Sequence, residues 1–350
     1  MTFWKYQPVD SKTENNKLLE DKLATIVDNL PSKFKFVTLT LKNCNEIYSL
    51  LNNNYIEDDD SISRKCYSMD FITWYFKNIP RSLAIGLTYN KNLIGMITAT
   101  YIEYSIYDKT EIVPQINLLC IRKNTRKLGL AQLLMEEMKT RLINNGKKYA
   151  FFTSNNIHTY YYTSSIDYII PINTYKLKKI GFLDDQIQHT VFKDNPFHLI
   201  KEDQLKTISD KLNHFHKNVL IKPIFSEKSC KYYFYPKKNV VYSFAKTVDD
   251  QITDFVSVYK YYEYCTDSSE FITVARLSFY FYETMDITEL IQYLIDKIKY
   301  YKIDQLYFDT SFMNNDINLT KYATNKNNYV YSYNLGLSKI HTGLVKLFQI

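Results

Sequence analysis

The stretch "INLLCIRKNTRKLGLAQLLMEEM", residues 116–138, contains two periods and a basic knot between them. Ile116 to Ile121 is a short apolar run and reads as a strand. Further on, Leu130, Leu134, Met138 and Leu142 recur every four residues, with Ala131 and Met135 beside them. That spacing predicts a helix over 128–145, stopped by "NNG". The knot is Arg122, Lys123, Arg126 and Lys127, and Gly129 stands at the head of the helix. A helix N-terminus offers unpaired N–H groups and partial positive charge to an anion, and a loop of successive N–H groups adds a nest. Gly129 has no Cβ to hold a phosphate off the backbone. Arg126 and Lys127 add full charges, and an arginine grips phosphate oxygens in pairs. These residues alone leave two readings open: a phosphate-binding turn, or a solvated basic loop before an ordinary helix.

Outward from this unit the pattern continues. Residues 32–42 alternate as a strand, 44–53 suit a helix, and 83–106 read as two strands around "YNKNLIG". Strand 112–121, helix 128–145 and strand "YAFFTS" (149–154) complete an α/β half. The second half repeats the plan: a hairpin in 239–262, a strand in 270–283, a helix at 286–301 and a strand in "IDQLYFDTS". The repetition predicts an α/β (α+β) fold made by duplication, divided at about 185/186 into residues 1–185 and 186–350.

Composition narrows the function classes. The chain has 350 residues and a formal charge of +7, spread along its length. That suits an anionic small ligand and gives no nucleic-acid footprint. Five cysteines show no C-x-x-C pair and six histidines no ligand cluster, which argues against a zinc site and a disulfide framework. We expect a reducing, cytoplasmic setting, no metal and no stable membrane insertion, since no apolar run approaches the ~18 residues of a spanning helix. With Thr2 and not glycine as its second residue, the chain is not expected to be an N-terminal lipidation substrate of the Met-Gly type.

The spacing Arg126-x-x-Gly129-x-Ala131 resembles the pyrophosphate loop of acyl-CoA-dependent N-acyltransferases of the acetyltransferase superfamily. On that resemblance the pantetheine arm runs back along the preceding strand and brings the thioester to Asn117–Leu119. A bulge there could aim two N–H groups at the thioester oxygen. Cys120 as a covalent acyl carrier is rejected, because no histidine lies near it in sequence and cysteine is commonly a small buried hydrophobe.

Several stretches, in order, resemble the N-myristoyltransferase family. They are Phe3-Trp4-x-x-Gln7-Pro8-Val9, "LLNNNYIEDDD" (50–60), "INLLCI" (116–121), "YFYP" (233–236), "ITDFVSVY" (252–259), "LSFYFY" (277–282) and Tyr333-Asn334. The resemblance implies two fused acetyltransferase-like (GNAT-type) halves around a pseudo-twofold, the first for acyl-CoA and the second for peptide. It implies transfer of tetradecanoyl from myristoyl-CoA, as a substrate and not a prosthetic group, to the N-terminal glycine of proteins by a monomer. It places Thr2, Phe3, Trp4, Leu118, Leu119, Cys120, Ile121, Arg126, Lys127, Gly129, Leu130 and Ala131 around the acyl-CoA. The N–H groups of Leu118 and Leu119 would polarise the thioester. Tyr55, Asp58, Asp60, Asn117 and Asn173 fall to the peptide, and Thr153 to a proton relay. The base would be the C-terminal carboxylate, here Ile350.

Some positions depart from the family pattern. "DYIIPIN" (167–173) keeps Asn173 but lacks the family's histidine, Ser63 and Lys65 replace phenylalanines, and a late Gly-rich loop is absent around "ATNKNNYV". Gly343-Leu344-Val345 is followed by about three residues more than usual, whereas the tail counted from Tyr333-Asn334 has about the usual length. The resemblance therefore predicts intact CoA loading and altered peptide selection. The rival readings are an N-acyltransferase for another acyl chain and a non-catalytic acyl-CoA or acyl-glycine binding protein.

Overall fold

The computed structural model describes residues 30–55, 63–157, 160–183, 189, 192–312 and 323–348. The first half runs β1 (Phe34–Thr38), α1 (Cys44–Asn54), β2 (Ser63–Cys66), α2 (Met69–Phe76), β3 (Ala84–Tyr89), β4 (Asn92–Ile106), β5 (Lys109–Ile121), α3 (Leu130–Asn144), β6 (Ala150–Ser154), β7 (Thr163–Pro171) and α4 (Thr174–Lys179). The second continues with β8 (His198–Leu199), α5 (Leu205–Phe215), β9 (Ile221–Pro223), α6 (Glu227–Phe234), β10 (Val241–Val248), β11 (Gln251–Cys265), β12 (Glu270–Phe281), α7 (Ile287–Lys299), β13 (Gln305–Asp309) and β14 (Ala323–Tyr333).

The strands join in one mixed sheet of order β1-β3-β4-β5-β6-β14-β7-β13-β12-β11-β10-β8. The order is nearly symmetric about its middle. Hairpin β3–β4, strand β5, helix α3 and strand β6 correspond to hairpin β10–β11, strand β12, helix α7 and strand β13, so the duplicated plan read in the sequence is present. In each half the strand after the helix returns parallel to the strand before it: β6 beside β5, and β13 beside β12. The centre is built by exchange. β7 pairs along β13, and β14 pairs along β6, so each half completes the other's sheet.

Local chemistry explains the helices. α7 buries Ile287, Leu290, Ile291, Leu294, Ile295 and Ile298 along one face, and Asp286 caps it by accepting from Glu289 N–H at 2.8 Å. α3 buries Leu130, Leu134, Met138 and Leu142, the residues that gave it away in the sequence. It packs close on β4 because Gly95 has no side chain: a Cβ there would stand 3.1 Å from Leu134 Cδ1 and 2.6 Å from Ile121 Cδ1. α3 starts at Leu130 and not at 128, since Lys127 and Gly129 both take left-handed φ, of 69° and 74°.

Candidate functional site

The site lies where the first half's sheet opens. β5 and β6 pair only at Gln115 and Phe151; beyond that register β5 pairs with β4 and β6 with β14. Asn117 to Ile121 therefore line one wall of a split, and Thr153, two residues beyond Phe151 and exposed, lies on the other. The expected bulge is present. Met96 pairs with Cys120 and Thr98 with Asn117, so β5 has one residue more than β4 over this span. Leu118 takes φ 49°, a conformation unusual for leucine, held by a side chain that is buried. Leu119 next to it faces partly outward.

At the mouth of the split stands the basic loop. Gly129, with φ 74° and ψ 6°, is the N-cap of α3, and a Cβ there would meet nothing within 4 Å. The loop is tied down at its other end. Lys123 N–H donates to Asn54 Oδ1 at 3.0 Å, and Arg126 donates through Nη2 to the Asn54 carbonyl and through Nε to the Ile121 carbonyl. Arg126 thus caps the C-terminal end of α1, where the helix dipole favours a cation. Cys120 is buried, with its Sγ 3.8 Å from the Leu50 carbonyl, and burial pushes its thiol up to about 12. It is a protonated core residue at neutral pH.

The wall of β4 and β5 carries a file of buried polar groups on the face opposite α3. Tyr75 Oη lies 2.9 Å from Thr98 Oγ1, which donates to the Asn117 carbonyl at 3.1 Å. Asn117 Nδ2 reaches toward Thr100 Oγ1, at 3.5 Å. The file ends at Gln115 and Tyr104, against the chain's tail. That tail is no frayed end as far as Phe348: Val345, Leu347 and Phe348 are buried, and the Phe348 ring packs on Tyr233 at 4.0 Å and Phe279 at 5.5 Å. Thr2, Phe3, Trp4, Asp58, Asp60 and Ile350 lie outside the described residues.

Of the expected peptide residues, Tyr55 is buried beside Tyr67, with ring centroids 5.9 Å apart, near the split. Asn173 lies apart from it. Its Oδ1 accepts Lys176 N–H at 3.2 Å as the cap of α4, and its Nδ2 donates to buried Asp304 at 2.9 Å.

A charged cluster with members from both halves escaped sequence reading. Arg276 bonds Asp309 at 2.9 Å and approaches Asp167 at 3.9 Å, and Asn328 donates to Asp167 at 2.6 Å. Burial pushes the Asp167 carboxyl up to about 6. Lys65, over the rings of Tyr261 and Tyr67, is pushed down to about 7 by burial first and Arg276 second. The available signal was substitution, since Asp167 heads the divergent "DYIIPIN" and Lys65 replaces a phenylalanine. Among the described residues no three His, Cys, Asp or Glu residues could share a metal ion, and no helix is long and apolar enough to cross a membrane.

Comparison with known proteins agrees with this geometry. Residues 13–164 match the family described as myristoyl-CoA:protein N-myristoyltransferase, N-terminal domain. A protein of Acanthamoeba polyphaga mimivirus named as a glycylpeptide N-tetradecanoyltransferase is 38% identical over 338 residues, 93% of this chain and 94% of that protein. Glycylpeptide N-tetradecanoyltransferase 2 of Danio rerio is 27% identical over 287 residues, 73% of this chain and 58% of its own length. The crystal structure of Saccharomyces cerevisiae N-myristoyltransferase with bound myristoyl-CoA shares the fold, with TM-score 0.85 over 97% of this chain and 94% of that one at 21% identity. With its split sheet, its bulge and its sequence kinship, the chain belongs to the N-myristoyltransferase family of acyltransferases.

Proposed function

We propose that this chain transfers myristoyl from myristoyl-CoA to the N-terminal glycine of proteins by direct attack of the amine on the thioester. The diphosphate sits at the turn of Arg126, Lys127, Gly129, Leu130 and Ala131. The acyl-CoA also touches Cys120, Ile121 and the N-terminal Thr2, Phe3 and Trp4. Leu118 and Leu119 offer their N–H groups to the oxyanion that develops on the thioester oxygen. Tyr55, Asn117, Asn173 and the acidic Asp58 and Asp60 receive the peptide. The first half, to residue 185, holds the acyl-CoA and the second the peptide. The enzyme works as a monomer in the cytoplasm.

The amine must lose a proton before it attacks, because its pKa is about 7.7–8.0. The base is the terminal carboxylate of Ile350, with Thr153 in the relay. A carboxylate of ordinary pKa, ~3.3–3.7, is a weak base, so placement supplies most of its effect. The observation that carries this reading is convergence. The split between β5 and β6 has the Leu118 bulge on its wall, and the buried tail reaches the split's closed end at Gln115.

The test is release of free thiol from myristoyl-CoA in the presence of a peptide beginning with glycine. Steady release that requires the glycine is expected, and shorter acyl-CoAs should turn over more slowly. A flat trace with tight CoA binding would make the chain a non-catalytic acyl-CoA binder. Preference for short chains would make it an N-acyltransferase of another kind.

A further inference from the structure

We propose that Tyr104 and Gln115 are positioning residues that set the reach of the terminal carboxylate; this rests on the reading of that carboxylate as the base. Tyr104 on β4 and Gln115 on β5 are 0% and 2% exposed. Tyr104 Oη donates to Gln115 Oε1 at 2.5 Å and accepts the Phe348 N–H at 3.2 Å. Gln115 Nε2 donates to the Phe348 carbonyl. The ring is closed: two side chains hold both main-chain polar groups of one tail residue, as a neighbouring strand would. The tail has such a neighbour earlier, where Val345 bridges to Ile221 and Lys346 N–H donates to the Ile221 carbonyl at 2.8 Å. Past that bridge the clamp takes over.

Its place matters more than its strength. Gln115 is the residue at which β5 and β6 part. Two further residues of extended chain reach at most about 7 Å. The strand from Gln115 to Asn117 rises about 6.6 Å, so a tail pinned at Gln115 can deliver its end to the level of the bulge. Phe151 packs edge-on to Tyr104, with centroids 5.4 Å apart, and fixes the ring that carries the hydroxyl. Both side chains of the clamp are buried. The clamp fixes Phe348, two residues before Ile350, the residue read as the base.

Tyr104→Phe keeps the ring and removes both of its hydrogen bonds; Gln115→Leu removes the donor to the carbonyl. In each we expect kcat to fall roughly 10- to 100-fold, as misplacement by about 1 Å can cost. Affinity for a non-hydrolysable myristoyl-CoA analogue should be unchanged. The deficit should shrink as pH rises past the amine's own pKa, because an amine already deprotonated has no need of the base. Full kcat in Tyr104→Phe would overturn the proposal. So would a loss equal at every pH and matched by weaker analogue binding, the mark of simple packing. Extending the wild-type chain past Ile350 separates the two layers. Turnover lost in the extension but kept in both point variants removes the clamp and leaves the base. Turnover kept in the extension removes the base and the clamp with it.

Discussion

Gly129 gives the sharpest test of where the nucleotide lies. Its φ of 74° is left-handed, and its missing Cβ faces open space. Any L-residue there bears a backbone cost of about 1–2 kcal/mol, less for asparagine, which tolerates this region. Gly129→Ala therefore measures strain alone, and Gly129→Asn bulk with little strain. Gly129→Glu adds a negative charge at the position proposed for a diphosphate. Two unit charges about 4 Å apart repel by about 1 kcal/mol in bulk water and about 4 kcal/mol in a surface environment of intermediate dielectric. Glutamate should thus bind myristoyl-CoA at least about fivefold more weakly than alanine, for about 1 kcal/mol or more. Because the loop is exposed, the gap between them should narrow at high salt. The assay is titration calorimetry with a non-hydrolysable myristoyl-CoA analogue at low and high ionic strength. Equal affinities for the alanine and glutamate variants would remove the turn from the binding site and with it the proposed path of the acyl-CoA.

Two further perturbations follow from buried groups. Cys120→Ser should keep most of its turnover in the thiol-release assay, because the native thiol is buried and protonated; abolished turnover in a folded variant would reinstate an acyl-cysteine step. His216 is 1% exposed, edge-on to Phe312 at 4.4 Å, and burial, with Lys346 and Lys222 nearby, pushes its imidazole down to about 3. The unfolded chain takes up a proton below pH 6.5 and the folded one does not until about 3, so this group removes stability as pH falls through that window. The loss is about 2 kcal/mol by pH 5. His216→Phe should flatten the decline of Tm with acidification, and an unchanged slope would mean that the imidazole is protonated in the native state.

The parts legible in the sequence were those whose signal is local. Leu130, Leu134, Met138 and Leu142 announced α3, and Gly129 marked its start to within one residue. The bulge at Leu118 followed from chemistry demanded of the strand, and it is there. Asn173 illustrates the opposite case: no local pattern announced that its side chain caps α4 and binds Asp304, which stands about 130 residues further on. The Arg276 cluster was hidden because its members come from β2, β7, β12 and β13, which only the folded sheet brings together. For the same reason β7 and β14 were not read as central strands. Each pairs across the duplication, and no short-range pattern encodes a partner about 140 residues or more away.

That crossing has a bearing on synthesis. As the nascent chain leaves the ribosome, β6 presents a bare edge until residues 323–333 arrive to cover it. An open edge invites wrong partners, and closure at such sequence separation is slow. The segment that follows β14 then seats Phe348 against Tyr104 and Gln115 of the first half's strands. A chain that stops short of residue 323 therefore keeps β6 uncovered and leaves unfilled the place that Phe348 takes against Tyr104 and Gln115.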